Sequence, residues 1–222
     1  MGVALHKTTK PSLDIAREKR EQIRKNRVRS SPMNRPAIQI VTITMANPDV
    51  RLAAANLLVE GFREHWPSAW PDIDAALAEI DDALDPGMIC RGAFDSTGQL
   101  VGWIGGRSAY GGNVWELHPL VVSPARQDEG IGRALVSDLE AQVAARGGLT
   151  IFLGTDDEDS QTSLSNANLY LDLPGQLAAV RNLRRHPYEF YQRCGFVIVG
   201  VIPDANGVGK PDILMAKQVT RS

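Results

Sequence analysis

The chain has 222 residues, 43% of them hydrophobic, and a formal charge of −2. That size and composition fit one substantial folded domain. There is no run of about 18 apolar residues to span a bilayer, and the only cysteines, Cys90 and Cys194, stand in no metal-ligand spacing, so a zinc site is not expected and a reducing cytoplasm is.

Charge divides the chain. Residues 1–35 hold ten basic and three acidic side chains, a net of +7, against −9 for the remainder. This basic segment has no apolar core of a secretory signal behind it. Ser12 to Arg29 has a weak helical stripe, ended by Ser30-Ser31-Pro32. Three readings stay open for it: a disordered tail, a translated leader, or an arm that binds nucleic acid or a partner. The acidic remainder, residues 36–222, attracts cations and repels nucleic acid. A multiply charged cation is therefore the favoured substrate class, beside the plain alternative that the charge only confers solubility.

From Pro36 the elements follow in order. Residues 38–43 are rich in β-branched residues and predict a strand. Asn47-Pro48 predicts a helix start, and Leu52, Ala55, Leu58, Val59 and Phe62 recur at helical spacing until Trp66-Pro67 ends it. A second helix is predicted from Asp72 to Leu84. Strands are predicted over 88–94, 100–107 and 114–122, with turns at Asp95–Gly98 and Tyr110–Asn113. A helix follows from Gly130 to Arg146, with Ile131, Leu135, Leu139 and Val143 on one face. Then come a strand over 150–154, irregular chain with a short helix over 160–185, a helix over 186–194 and a hairpin of 196–202 with 213–217.

The segment from Trp115 to Gly132 carries the chemistry. A buried strand with Glu116 and His118 runs into a glycine loop that opens a helix, an arrangement that turns backbone N–H groups toward a phosphate. It is not a nucleotide-binding P-loop, since no Gly-Lys-Ser/Thr occurs, and Gly130-Ile131-Gly132 lacks the third glycine of a dinucleotide fingerprint.

Gln127, Gly130 and Gly132 match the pattern Gln/Arg-x-x-Gly-x-Gly/Ala, and the segment resembles the acetyl-CoA loop of the GNAT superfamily of N-acetyltransferases. Trp-Glu-Leu-His-Pro-Leu-Val-Val (115–122), Leu-Gly-Thr-Asp-Asp (153–157), Asn-Leu-Arg (182–184), His-Pro-Tyr-Glu-Phe-Tyr (186–191) and Lys-Pro-Asp-Ile (210–213) are similar to one group within it, the enterococcal-type aminoglycoside 6′-N-acetyltransferases. The likeness covers about residues 38–218 and is strongest from 115 onward.

The resemblance implies an α/β fold, a mixed central sheet flanked by helices and splayed into a wedge for acetyl-CoA, with no metal. The cosubstrate would be held by the main chain of Gln127, Asp128, Glu129, Gly130, Ile131, Gly132 and Arg133, and by strand residues Leu120, Val121 and Val122, an N–H of Leu120 or Val121 polarising the thioester. Asp128 and Glu129 depart from the family, whose loop is neutral or basic there; they are expected to face solvent. Glu116 would receive the amine and its proton, with a strand-end ion pair as its alternative role. His118 shares that face and would relay the proton or serve structure. Tyr191 would supply a proton to the departing thiol, Tyr188 being the residue it is most easily confused with. Trp66, with Trp70 near it, Asp156, Asp157 and Asp212 would bind the substrate, core packing being the commoner role for tryptophan.

The implied activity is direct acetyl transfer to the 6′-amine of an aminoglycoside, giving antibiotic resistance, in a homodimer that needs no membrane. Two other readings stand: acetylation of another amine, on a polyamine or a protein N-terminus, and an acyl-CoA sensor that uses the basic arm to bind nucleic acid.

Overall fold

The computed structural model describes residues 37–219. The helix expected over 12–29 lies outside them. Seven strands form one sheet in the order β1-β2-β3-β4-β5-β7-β6. They are β1 (Gln39–Thr42), β2 (Ile89–Phe94), β3 (Leu100–Ala109), β4 (Val114–Val122), β5 (Thr150–Asp156), β6 (Val197–Ile202) and β7 (Asp212–Gln218). The helices are α1 (Pro48–Phe62), α2 (Ile73–Ala83), α3 (Ile131–Ala145), α4 (Leu173–Ala178) and α5 (Tyr188–Arg193).

Local chemistry sets the helix starts. Asn47 accepts from the N–H groups of Asp49 and Val50 at 3.1 and 3.2 Å, and Pro48 occupies the first helical turn. Asp72 caps α2 by accepting from the Ala75 N–H at 2.9 Å. The first helix ends at Phe62, four residues before the expected stop; the chain continues as a turn in which the Trp66 N–H reaches the Phe62 carbonyl.

The sheet is covered on both faces. One core joins α3 residues Leu135, Leu139 and Val143 to Trp115, Leu117, Ile151 and Met215. The other joins α1 and α2, through Leu58 and Ile80, to Trp103 and Val121. Trp103 is fully buried, and its indole N–H is satisfied by the Ala54 carbonyl at 3.0 Å. Removing it would cost about 3–5 kcal/mol.

Two features of β4 shape the site. It pairs with β5 in parallel only from Val114 to Glu116, opposite Thr150 to Phe152. Beyond that point the strands part and leave main-chain groups of both facing a gap. In addition, β4 holds an extra residue against β3: Ile104 stands opposite Leu120, but Gly106 stands opposite Leu117. Two residues, His118 and Pro119, thus oppose Gly105, where any Cβ would collide with the His118 carbonyl. The bulge shifts the pleat by one. Trp115 and Leu117 join the α3 core, whereas Val121 joins the α1–α2 core.

Candidate active site

A cavity of about 910 Å³ occupies the gap between β4 and β5. Leu117 to Val122 form one wall and Gly154 to Asp156 the other. One end reaches the start of α3 and α5; the other reaches α1, α2 and the tryptophans that follow α1.

At the α3 end the wall is mostly backbone. Gly130 sits at φ 88°, a left-handed conformation natural to glycine, and no side chain caps the helix behind it. The first bond of the helix runs from the Ala134 N–H to the Gly130 carbonyl, so the N–H groups of Ile131, Gly132 and Arg133 lack intrahelical partners. All three residues line the cavity. Gly132 packs under Phe190, which would stand 3.2 Å from an added Cβ. This cradle fits a phosphate diester, since the residues that carry the free donors line a cavity and the helix dipole adds positive potential.

The two acids of the loop are handled separately. Asp128 is exposed and lies 3.9 Å from Arg185 across the cavity mouth. Glu129 turns to Arg126 at 2.9 Å, and Arg126 also meets Asp95 at 3.3 Å. Gln127 is exposed, its side chain near the Val122 carbonyl at 3.5 Å.

Tyr191 lines the same end and packs edge-on against Phe190 and Phe196, with ring centroids 5.1 and 5.7 Å apart. Burial pushes its phenol up from the ordinary value, so it stays protonated. Tyr188 is 5% exposed and belongs to the core. The two tyrosines are thereby told apart. His186, 2% exposed, fixes α5 against β5: its Nδ1 accepts from the Tyr188 N–H, which leaves Nε2 to donate to the Asp156 carbonyl at 3.0 Å. Burial lowers its pKa and keeps it neutral.

The opposite end is built from side chains. Trp66 and Trp70 line it beside Phe62, and Trp70 lies 6.0 Å from the His118 ring. Glu79 of α2 enters here, with Oε1 2.6 Å from Arg107 Nη2 and 3.5 Å from His118 Nε2. Burial alone would raise the Glu79 pKa, but His118, Arg107 and the Trp70 indole together hold it below its ordinary value. Asp156 and Glu158 add two more carboxylates to the lining. Glu116 stands just behind it: Leu117 and His118 line the cavity, while Glu116 lies opposite Arg107 on β3 and beside Phe152 on β5. Among the described residues it forms no ion pair or side-chain hydrogen bond.

Two expected substrate ligands lie elsewhere. Asp157 is 0% exposed and does not line the cavity. Its carboxylate accepts from the N–H groups of Gln161 and Thr162 and the hydroxyls of Thr162 and Ser165, at 2.6–2.8 Å. These bonds outweigh the penalty of burial and hold its pKa low. It braces the 157–165 loop. Asp212 lies against Gly154 behind the wall, paired in register with Asp156. Its Oδ1 is buried without a partner, and burial, then Asp156 and Glu116, raise its pKa to about 6.

The GNAT acetyltransferase family model matches residues 52–167. The chain belongs to that family. Among solved structures, an aminoglycoside 6′-N-acetyltransferase complexed with coenzyme A is 43% identical, with a TM-score of 0.76, over 83% of this chain and 98% of its own. The aminoglycoside 6′-N-acetyltransferase from Enterococcus faecium is 42% identical, with a TM-score of 0.74, over the same shares. An aminoglycoside 6′-acetyltransferase type Ii is 35% identical, with a TM-score of 0.62, over 83% of this chain and 99% of its own. A search of curated proteins found no significant match.

As a GNAT acetyltransferase the chain uses acetyl-CoA, and the uncapped start of α3 is the place in the cavity suited to its pyrophosphate. Among the described residues no group of three His, Cys, Asp or Glu is arranged to hold a metal ion, and no helix is long and apolar enough to cross a membrane. Glu79, Arg107 and His186 are the site residues that sequence reasoning missed. Nothing in the sequence distinguishes Glu79 from the other acids of α2. Arg107 was within reach, because the turn after β3 determines which residue faces Glu116.

Proposed function

We propose that the protein transfers an acetyl group from acetyl-CoA to the 6′-amine of an aminoglycoside, and that this modification confers resistance. The observation that carries the reading is the polarity of one cavity. An uncapped helix N-terminus and a protonated tyrosine lie at one end, and carboxylates with an aromatic wall lie at the other. An acyl thioester with a pyrophosphate fits the first end and a polycationic sugar fits the second. The 42–43% identity to enzymes named for this reaction supports the same assignment.

The thioester supplies the activated acetyl group. The N–H groups of residues 131–133 hold the pyrophosphate, and the unpaired edge of β4 at Leu120 and Val121 offers an N–H to the carbonyl oxygen. An alkyl ammonium with a pKa near ~10 must lose a proton before it attacks. Glu116 takes that proton through a water, because it sits one residue beyond the lining. Tyr191 faces the departing thiolate. A thiol near ~8.5 is more acidic than a phenol near ~10, so full transfer from tyrosine runs uphill by at least ~2 kcal/mol. Tyr191 therefore acts mainly by donating a hydrogen bond to the sulfur. The cytoplasmic setting and the homodimer that the resemblance implies belong to this proposal, and light scattering at micromolar concentration tests the second.

A thiol-release assay across kanamycin, spermidine and peptide amines decides the substrate. We expect turnover with kanamycin and a product acetylated at the 6′ nitrogen. Turnover with spermidine or a peptide but with no aminoglycoside would overturn the reading. Tight CoA binding with no turnover on any amine would favour a sensor.

A further inference from the structure

We propose that Glu79 is a positioning residue that draws the Arg107 guanidinium away from Glu116 and so leaves the Glu116 carboxylate free for the acceptor amine. The inference rests on the acetyl-transfer reading above. Arg107 and Glu116 are directly opposed across the β3–β4 pair, so their side chains leave the sheet on the same face. Opposite charges in that position ordinarily pair. Here Arg107 donates instead to Glu79 on α2 at 2.6 Å, and it makes no ion pair with Glu116. Glu79 is only 14% exposed, so its charge is weakly screened and competes well for the guanidinium. The same oxygen lies 3.5 Å from His118 Nε2, which anchors that ring on the acceptor wall beside Trp70.

The chemical consequence follows from what Arg107 would do if released. A guanidinium on Glu116 would occupy the oxygens that an ammonium needs and would make the carboxylate a weaker base. An acceptor amine would then compete with a permanent cation tethered one strand away.

The test is a double-mutant cycle, with kinetics resolved for each substrate. Glu79→Ala keeps a good helix former in α2. It is expected to lower kcat/KM for kanamycin about tenfold through a higher KM for the amine, with KM for acetyl-CoA within twofold. In an Arg107→Met background the same substitution is expected to cost less than threefold, because no guanidinium remains to block Glu116. A tenfold loss in both backgrounds would overturn the proposal, since Glu79 would then act on its own. So would a loss under twofold in the native background. Glu79→Gln, nearly identical in shape, should give an intermediate loss, and it serves if the alanine variant folds poorly. A crystal structure of Glu79→Ala provides a readout apart from turnover: the guanidinium should lie within hydrogen-bonding distance of Glu116, and its absence from that position refutes the proposal. That readout holds even if the protein acetylates no amine, in which case the proposed function fails separately.

Discussion

The two ends of the cavity are built by different means. At the α3 end the free donors are the main-chain N–H groups of Ile131, Gly132 and Arg133, supplied by one short stretch of chain. At the other end the groups are side chains from α2, β4, β5 and the turn after α1, with Glu79 of α2 paired to Arg107 and His118. A backbone grip tolerates side-chain change but not added bulk at its glycines. A side-chain grip tolerates bulk nearby but depends on each charge being free or paired as the chemistry requires. Substitutions at the two ends should therefore separate cleanly by which KM they move.

The largest expected effect tests the acceptor end. Glu116→Gln removes the proposed base and keeps the shape. A loss of about 100-fold in kcat/KM for kanamycin is expected, the lower end for a positioned general base. Acetyl-CoA affinity, measured by calorimetry, should hold. Unchanged kinetics would remove Glu116 from the mechanism and leave the acceptor end as a binding wall only.

A comparable effect falls on stability. Asp157→Ala strips four donors, three of them buried, of their acceptor and should cost about 3 kcal/mol or more. For a domain of this size that is a fall of about 6–12 °C in Tm. Because the Asp157 pKa is held below its unfolded value, its contribution is present at neutral pH and above the normal carboxylate range. It is lost as pH falls through the folded pKa, so the wild type and the alanine variant should converge in acid melts. A kinetic defect without a thermal one would restore Asp157 to the substrate site.

That residue also shows what was legible and what was not. Asp156 and Asp157 adjoin at the end of one strand, and successive side chains leave a strand on opposite sides, so only one of them can line the cavity. The identities of the residues were informative, but their direction needed the alternation to be followed to the last residue. The strand, glycine loop and helix from Trp115 to Gly132 were legible because they are local and occupy contiguous positions. The helix caps at Asn47 and Asp72 were legible for the same reason. The β4 bulge was hidden because both faces of that strand are covered, and burial alternates unbroken through His118 and Pro119. Glu79 was hidden because its meaning comes from a contact 28 residues away in sequence with Arg107.

At the cofactor end, Gly132→Ala is the matching probe. The added methyl meets Phe190 at 3.2 Å on the floor of the cradle. KM for acetyl-CoA should rise about fivefold to tenfold, roughly 1 kcal/mol, with KM for kanamycin within twofold. A rise in the amine KM instead would mean that the ends are not separable. Tyr191→Phe should be milder, a threefold to fivefold loss in kcat with both KM values kept, since in the proposed mechanism the residue contributes one hydrogen bond to the sulfur and water can replace it. A loss near 100-fold would show that the phenol transfers its proton fully.

The smallest effect on activity concerns the wall behind the acceptor end. Asp212 stands opposite Asp156 in register, with one buried oxygen unpartnered and a pKa of about 6. An unfolded aspartate titrates near ~3.9, so between about pH 4 and 6 the folded protein binds more protons than the unfolded chain. Stability at this residue therefore falls as pH rises through that window, and levels off above it. Asp212→Asn removes the titration and keeps an acceptor for the Thr155 N–H. Its Tm should lie close to the wild type near pH 4, exceed it by about 2–5 °C at pH 5, and exceed it most at pH 7.5. The amine KM should rise about twofold at pH 7.5 as one negative charge leaves the wall. A Tm gain independent of pH would mean that packing, not charge, is what Asp212 disturbs, and the acceptor end would then draw its negative potential from Glu79, Glu116, Asp156 and Glu158 alone.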